Sequence, residues 1–429
     1  MDLPDRSPSS SRRDFVSRLG SAAVAGALIP AVLPAVPPAA ALVLTPQRFE
    51  AAAAMPRGLA PAGDFLLDPD LTYLQTGSLG PTPRPVIDRA VALWHELERN
   101  PTLWGYGAHE EALEDVRARA AAFIGCATDE LVITGCTTDG MNRVAQGLHL
   151  KAGDHVLTTN QEHPGGRSGW EYLARTERVM LEDVPIAPDA HDPHAIVDAF
   201  AARITPRTKV LMFSHLLTSS GLRMPVAELS ALGRSRGCLV VVDGAQAVGG
   251  IDVDVKALGC HAYVTAGHKW LLGPKGTGLL YLSRELGSAV DPIQGQAGRT
   301  VYSASNGVCS LPSVLGLGAS IDYLLAVGKA RIEAHNMTLR QRVFDGLRGV
   351  PRLRVVSADR GAQASPLVTY ELPPEVTGGA MQRALLAKHQ VMVKTVPANF
   401  MNGNRISTHL FNSEQDVDRL LTALRVELA

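Results

Sequence analysis

Residues 238–283 read CLVVVDGAQAVGGIDVDVKALGCHAYVTAGHKWLLGPKGTGLLYLS. Two short, mainly apolar runs, CLVVVD (238–243) and HAYVTAG (261–267), lack any apolar/polar alternation, as expected of strands buried on both faces of a parallel sheet. In such sheets ligands gather at the carboxyl ends of the strands. The first run ends in Asp243, where a carboxylate is costly unless it has a partner; a plain Asp-Gly turn is the alternative. The second run leads to His268 and Lys269, at the entrance to the apolar stretch Trp270–Leu272. A partly desolvated lysine has a depressed pKa, and its neutral amine can form a Schiff base. Lys275, between Pro274 and Gly276, reads as a turn residue.

Outward from this stretch the pattern repeats. ELVITG (130–135), DHVLTT (154–159), TKVLMFSH (208–215) and GTGLLYLS (276–283) read as further strands. TDGMNRVAQGLHL, GWEYLARTE and PVAELSALGRSRG read as the helices between them. The expected class is α/β, with a large, mainly parallel sheet. A long helical stretch from Val314 towards Leu347 leads to a smaller α+β region, with strands in SPLVTYEL, VMVKTV and RISTHL and a final helix from Glu414.

The chain has 429 residues, 46 % of them apolar, and a formal net charge of −1. That balance suits a globular protein with a small-molecule task and gives no basic surface for nucleic acid. Five cysteines stand without a CxxC pair, and no metal-ligand spacing is present, so neither a disulfide framework nor a metal site is expected.

The remaining strand ends carry polar residues. Thr137 and Thr138 open a helix, where free N–H groups suit phosphate; a simple N-cap by Thr138 is the bland reading. His163, beside a Pro-Gly-Gly loop, can cover a flat ring or be an ordinary loop histidine. Thr218 is a possible donor or a cap. Gln246, three residues past Asp243, can hydrogen-bond the same ligand. Each is ambiguous alone. Together they fit pyridoxal 5′-phosphate, which needs an amine, an acid at its ring nitrogen, a phosphate cup and a cover.

Val240–Tyr281 resembles the core of the class V aminotransferase family, which includes cysteine desulfurases and isopenicillin N epimerase. Lys269 lies 26 residues beyond Asp243, with a histidine before it, and similarity extends from YLQTGSLGPTP (73–83) to RISTHLFNSEQDVDRLLTAL (405–424). The resemblance implies a fold-type-I architecture, a large pyridoxal-phosphate-binding domain over 73–313 and a linking helix with a small domain over 314–429. It also implies a homodimer with active sites at the subunit interface. Position by position, it makes Lys269 the Schiff-base lysine and His268 a phosphate ligand. It places Asp243 at the pyridine nitrogen, Gln246 at the ring hydroxyl and His163 over the ring. Thr137 and Thr138 become the phosphate pair, and Arg405 the clamp on the substrate carboxylate. Two departures stand out. Desulfurases keep a nucleophilic cysteine shortly before that arginine, and residues 391–405 contain none. Thr218 stands where desulfurases often have asparagine. Both favour the epimerase-like branch.

The N-terminus reads differently. SRRDFVSRLG places Arg12 and Arg13 side by side, followed by an apolar, alanine-rich run and small residues at Ala39 and Ala41. These are the parts of an export signal, and they resemble a twin-arginine signal over 1–41, with 42–72 as an N-terminal segment. The resulting expectation is a periplasmic or secreted enzyme acting on an amino acid or on an amino-acid residue carried by a peptide. Transamination comes first, with epimerisation or elimination as the alternative; a non-catalytic binding protein for pyridoxal phosphate or an amino acid is the rival from another class.

Overall fold

The computed structural model describes residues 58–60, 62–286, 289–292, 294 and 298–429. The expected leader, residues 1–41, lies outside the described residues.

Thirteen strands are described: β1 Thr72–Tyr73, β2 Leu131–Thr134, β3 His155–Thr159, β4 Met180–Val184, β5 Thr208–Ser214, β6 Leu239–Asp243, β7 Ala262–Ala266, β8 Gly278–Leu282, β9 Arg354–Val355, β10 Leu367–Glu371, β11 Val391–Met392, β12 Lys394–Thr395 and β13 Gly403–Ser407. Seven form the large sheet, in the order β2-β8-β7-β6-β5-β3-β4. β4 to β7 are joined through parallel pairings, and only β8 runs antiparallel to both its neighbours, β2 and β7. Because β8 opposes both, β2 points the same way as β7. The residues that follow β2, β3, β5, β6 and β7 therefore all emerge at one edge of the sheet.

The central strands are apolar for a physical reason. Val240, Val241 and Val242 are at most 1 % exposed, because both faces are covered. Each such side chain contributes about 1.5–3 kcal/mol relative to an exposed one. One core lies on each face: Leu211, Phe213 and Val242 point to one, and Met212, Val241 and Val264 to the other. β4 has no counterpart in the strands expected from the sequence. It is the edge strand, with Met180, Glu182 and Asp183 exposed, so its MLEDV sequence lacks a buried strand's apolar signature.

The helices Thr137–Gly147 and Pro164–Thr176 follow β2 and β3, and each starts where a functional residue was expected. The first is capped by Cys136, whose Sγ accepts from the Asp139 N–H at 3.4 Å. The cap is therefore not Thr138, as the bland reading had it: both threonines stand inside the helix's first turn, and the cap position, with extended backbone, belongs to the residue before them. His163 caps the second helix, its Nδ1 accepting from the Gly165 N–H at 3.0 Å.

The helical stretch after the large sheet divides into Leu311–Val327 and Lys329–Arg348, which meet at 76°. The first is apolar nearly all round because it is packed between other helices, and among the described residues no single helix is long and apolar enough to cross a membrane. A four-stranded antiparallel sheet follows, ordered β12-β13-β10-β9. Its core is built from Val368, Tyr370 and Ile406 with Leu385 and Leu420 of the helices Gly378–His389 and Glu414–Leu428. The residues after β1 tie the two sheets together. β1 pairs with β11, the Ser407 N–H donates to the Leu74 carbonyl at 2.9 Å, and the Gly80 N–H donates to the His268 carbonyl at 2.9 Å. The Lys275 amine, in its turn, also holds this segment by donating to the Gly80 carbonyl at 2.8 Å and Thr82 Oγ1 at 3.0 Å.

Candidate active site

A cavity of about 410 Å³ opens at the carboxyl edge of the large sheet, where the small sheet meets it. All nine residues singled out in the sequence line it: Thr137, Thr138, His163, Thr218, Asp243, Gln246, His268, Lys269 and Arg405. The strand order explains why. Each follows, or ends, a strand pointing the same way, and β13 brings Arg405 in from the other sheet.

Asp243 closes β6 and is 4 % exposed. Its Oδ1 accepts the Ala245 N–H at 2.9 Å, and burial pushes its carboxyl above the usual range, against this hydrogen bond and the Lys269 charge. The approach is guarded: a Cβ on Gly166 would lie 2.4 Å from Asp243 Oδ2, so only glycine lets this helix start come so close. Lys269 follows β7. Burial pushes its ammonium down to about 8; Asp243 opposes that shift, while Arg405 and Lys394 add to it. Among the described residues its amine has no hydrogen-bond partner. His163 has its pKa pushed down to about 4, by the surrounding chain first and then by Lys269, Arg405 and Lys394, although the residue is exposed at the cavity.

Gln246 is fixed at both ends of its amide. Its Nε2 donates to the Gly77 carbonyl at 2.7 Å, and its Oε1 accepts from Trp270 Nε1 at 3.0 Å. Thr218 is spent largely on the protein itself: its Oγ1 accepts from Arg405 Nη1 at 2.6 Å, and its carbonyl accepts from the same nitrogen at 2.9 Å. The structure thus gives Thr218 a role in aiming Arg405. Arg405 is 2 % exposed, and burial pushes its pKa down to about 10. Its Nη1 is occupied, but Nε and Nη2 are buried without a partner. Those two N–H groups form one straight edge of the guanidinium, the edge that takes a carboxylate in bidentate fashion. Gly77 keeps the edge open, since a Cβ there would fall 2.9 Å from Nη2.

Two more polar atoms in the cavity wall are buried and unpartnered, Thr137 Oγ1 and His268 Nδ1. Native proteins seldom strand such groups, because each costs about 1–3 kcal/mol. They lie where a phosphate was expected, beside the N–H groups of a helix start. The donor set fits pyridoxal phosphate: hydroxyl, imidazole and helix N-terminus for the phosphate, a buried acid, a depressed amine, and a separate open guanidinium for a substrate.

Comparison with known proteins agrees. The model of the family described as aminotransferase class-V matches residues 72–420. The chain belongs to the class V aminotransferase family. It is 31 % identical over 382 residues to the isopenicillin N epimerase of Amycolatopsis lactamdurans, covering 84 % of this chain and 96 % of that protein. It is 30 % identical over 397 residues to a cysteine desulfurase of Salmonella newport, covering 82 % and 92 %. Among solved structures, the apo cysteine desulfurase of Thermococcus onnurineus NA1 superposes with a TM-score of 0.76 at 24 % identity, covering 87 % of this chain and 99 % of the other, which shows the shared fold. Members of this family are pyridoxal-phosphate enzymes of fold type I, and this chain is one of them.

Sequence reasoning missed two charged residues. Lys394 of β12 lines the cavity beside Arg405. Glu162, next to His163, accepts from the hydroxyls of Thr159 at 2.6 Å and Ser214 at 2.5 Å and from the Ser214 N–H at 3.1 Å. It fastens the His163 loop to the ends of β3 and β5. Burial pushes its carboxyl up to about 7, opposed by these hydrogen bonds and assisted by Asp243. The argument that singled out Asp243, an acid just past an apolar strand, applies to Glu162 too. Cys136 also lines the cavity, but as the helix cap, and 391–405 supplies no thiol.

Proposed function

We propose that this protein is an exported pyridoxal-phosphate enzyme that works on the amino group and Cα of an amino acid, free or carried on a peptide, and that transamination is its reaction. One observation carries the reading. A lysine amine with a pKa near 8 stands in a cavity between stranded donors for a phosphate and an open guanidinium edge for a carboxylate. When bound, pyridoxal phosphate supplies an aldehyde that accepts amines and a ring that takes up the electron pair released at Cα. Thr137, Thr138 and His268 hold the phosphate. Asp243 keeps a positive charge at the ring nitrogen, and Gln246, locked by Gly77 and Trp270, orients the ring. Arg405 grips the substrate carboxylate and so fixes which Cα bond faces Lys269. With its pKa near 8, Lys269 takes and returns a proton at Cα close to neutral pH. His163 covers the ring without adding charge.

A single amine that both removes and returns the proton meets the minimum that transamination asks. Epimerisation is the second reading, favoured by the identity to isopenicillin N epimerase. A desulfurase is disfavoured by the absence of a thiol between 391 and 405. Incubation with a panel of amino acids and peptides together with a 2-oxo acid to accept the amino group, followed by chiral and mass analysis of products, decides between them. Oxo acid formed together with the aminated acceptor supports transamination, inverted substrate supports epimerisation, oxo acid with free ammonia supports elimination, and unchanged substrates throughout would favour a binding protein.

Two further parts of the proposal stand on other residues. A second apolar cleft, of about 560 Å³, is lined by Leu66, Val91 and Trp94, which are 59 %, 49 % and 53 % exposed. Side chains so large and so exposed support self-association, and we take the enzyme to be a homodimer. Light scattering should give twice the chain mass. For export through the twin-arginine machinery, Arg12 and Arg13 are the address. Changing both to Lys should hold the folded enzyme in the cytoplasm, whereas wild-type protein found only there with residues 1–41 intact refutes export.

A further inference from the structure

The cavity holds one more cation than an ordinary amino acid needs. Its charged lining is Asp243, Lys269, Lys394 and Arg405. In the reading above, Asp243 and Lys269 serve the cofactor and the open edge of Arg405 takes the substrate's α-carboxylate. Lys394 is left over.

Its placement is specific. β12 and β13 are antiparallel, with Lys394 directly opposite Arg405 in the register. Opposed residues send their side chains to the same face, with Cβ atoms about 5 Å apart. Like charges in that arrangement repel and destabilise the pair. Arg405 lies at 2 % exposure with Nη1 already bound to Thr218. Lys394 keeps access to solvent, and among the described residues no carboxylate pairs with it. The cofactor's phosphate is not its counterion. The phosphate donors follow β2 and β7, whereas Thr218, which aims Arg405, follows β5, on the other side of β6.

We infer that Lys394 binds a second anionic group on the substrate, so that the preferred substrate is an amino acid carrying a side-chain carboxylate or an equivalent anion within a few bonds of Cα. Two anionic groups entering together turn a repelling Lys–Arg pair into two charge-assisted contacts. A neutral side chain of the same shape makes only one. The inference rests on Arg405 being the α-carboxylate site.

Glutamate and glutamine differ by the charge in question, as do aspartate and asparagine. Binding is followed by the change in visible absorption of the holoenzyme on titration, independently of turnover, and kcat/KM is measured alongside. Wild type should bind the acidic member of at least one pair roughly ten- to thirtyfold more tightly. Lys394→Met should erase that preference, and Lys394→Arg should restore most of it. Equal affinity for acidic and neutral members in wild type, or a preference that survives in Lys394→Met, overturns the inference while leaving the cofactor assignment intact. A purified protein with no visible absorption from a bound cofactor overturns both.

Discussion

Removing the lysine amine should make the apoprotein more stable near neutral pH. Lys269 has its pKa pushed from 10.5 to about 8, chiefly by burial. A drop of that size corresponds to about 3 kcal/mol at most, and water entering the open cavity reduces it to about 1–3 kcal/mol. The sign follows from proton counting. Below about pH 8 both folded and unfolded chains hold the proton, and the folded state bears the full cost of a buried charge. Between about pH 8 and 10.4 the folded amine is neutral while the unfolded one still binds a proton, so wild-type stability rises with pH from this group. Lys269→Met removes the term. Urea melts of cofactor-free wild type and Lys269→Met, run at pH 7 and pH 9.5, should show the variant more stable at pH 7, with the gap narrowing by about 1–2 kcal/mol at pH 9.5. Groups that do not feel the Lys269 charge titrate alike in both proteins and cancel, and His163, which does feel it, has its pKa pushed down to about 4, below this range. A gap that stays constant or widens with pH would refute the claim that Lys269 is held near neutrality by its surroundings.

Asp243→Asn should retain the cofactor but lower kcat by a factor of about 10² or more, the scale of a lost preorganised charge; turnover near that of wild type would show that ring charge does not limit the reaction. Arg405→Ala should lower kcat/KM for α-amino acids by about 2–5 kcal/mol, as when a buried charge loses its partner, and an unchanged value would point to amines without a neighbouring carboxylate. Glu162→Ala leaves the Ser214 N–H and two hydroxyls without their acceptor, so thermal melts should show a loss of about 1–3 kcal/mol. Unaltered melting would mean the His163 loop is held by other contacts.

Much of this site was legible because of one topological fact. When strands point the same way, residues that end them converge, so Asp243, Lys269, His163 and Thr137 could be named from the ends of apolar runs. The limits have equally physical causes. β4 escaped because an exposed edge strand has no apolar run. Cys136 escaped as a cap because a thiol is a poor acceptor and threonines stood beside it. Lys394 escaped because its meaning depends on a register pairing with Arg405, eleven residues on, that alternating residues in a short strand do not reveal. Gly77 and Gly166 show the same thing from the other side. Their value lies in what a Cβ would strike, the guanidinium in one case and the carboxylate in the other, and that requires the fold.

The most direct test of the account is to reduce the purified, cofactor-loaded enzyme with borohydride, digest it and map the modified lysine by mass spectrometry. Reduction fixes the cofactor to whichever amine holds it. The label is expected on Lys269 alone. A label on Lys275 or Lys394, or no label on any lysine, would contradict the assignment of the active site.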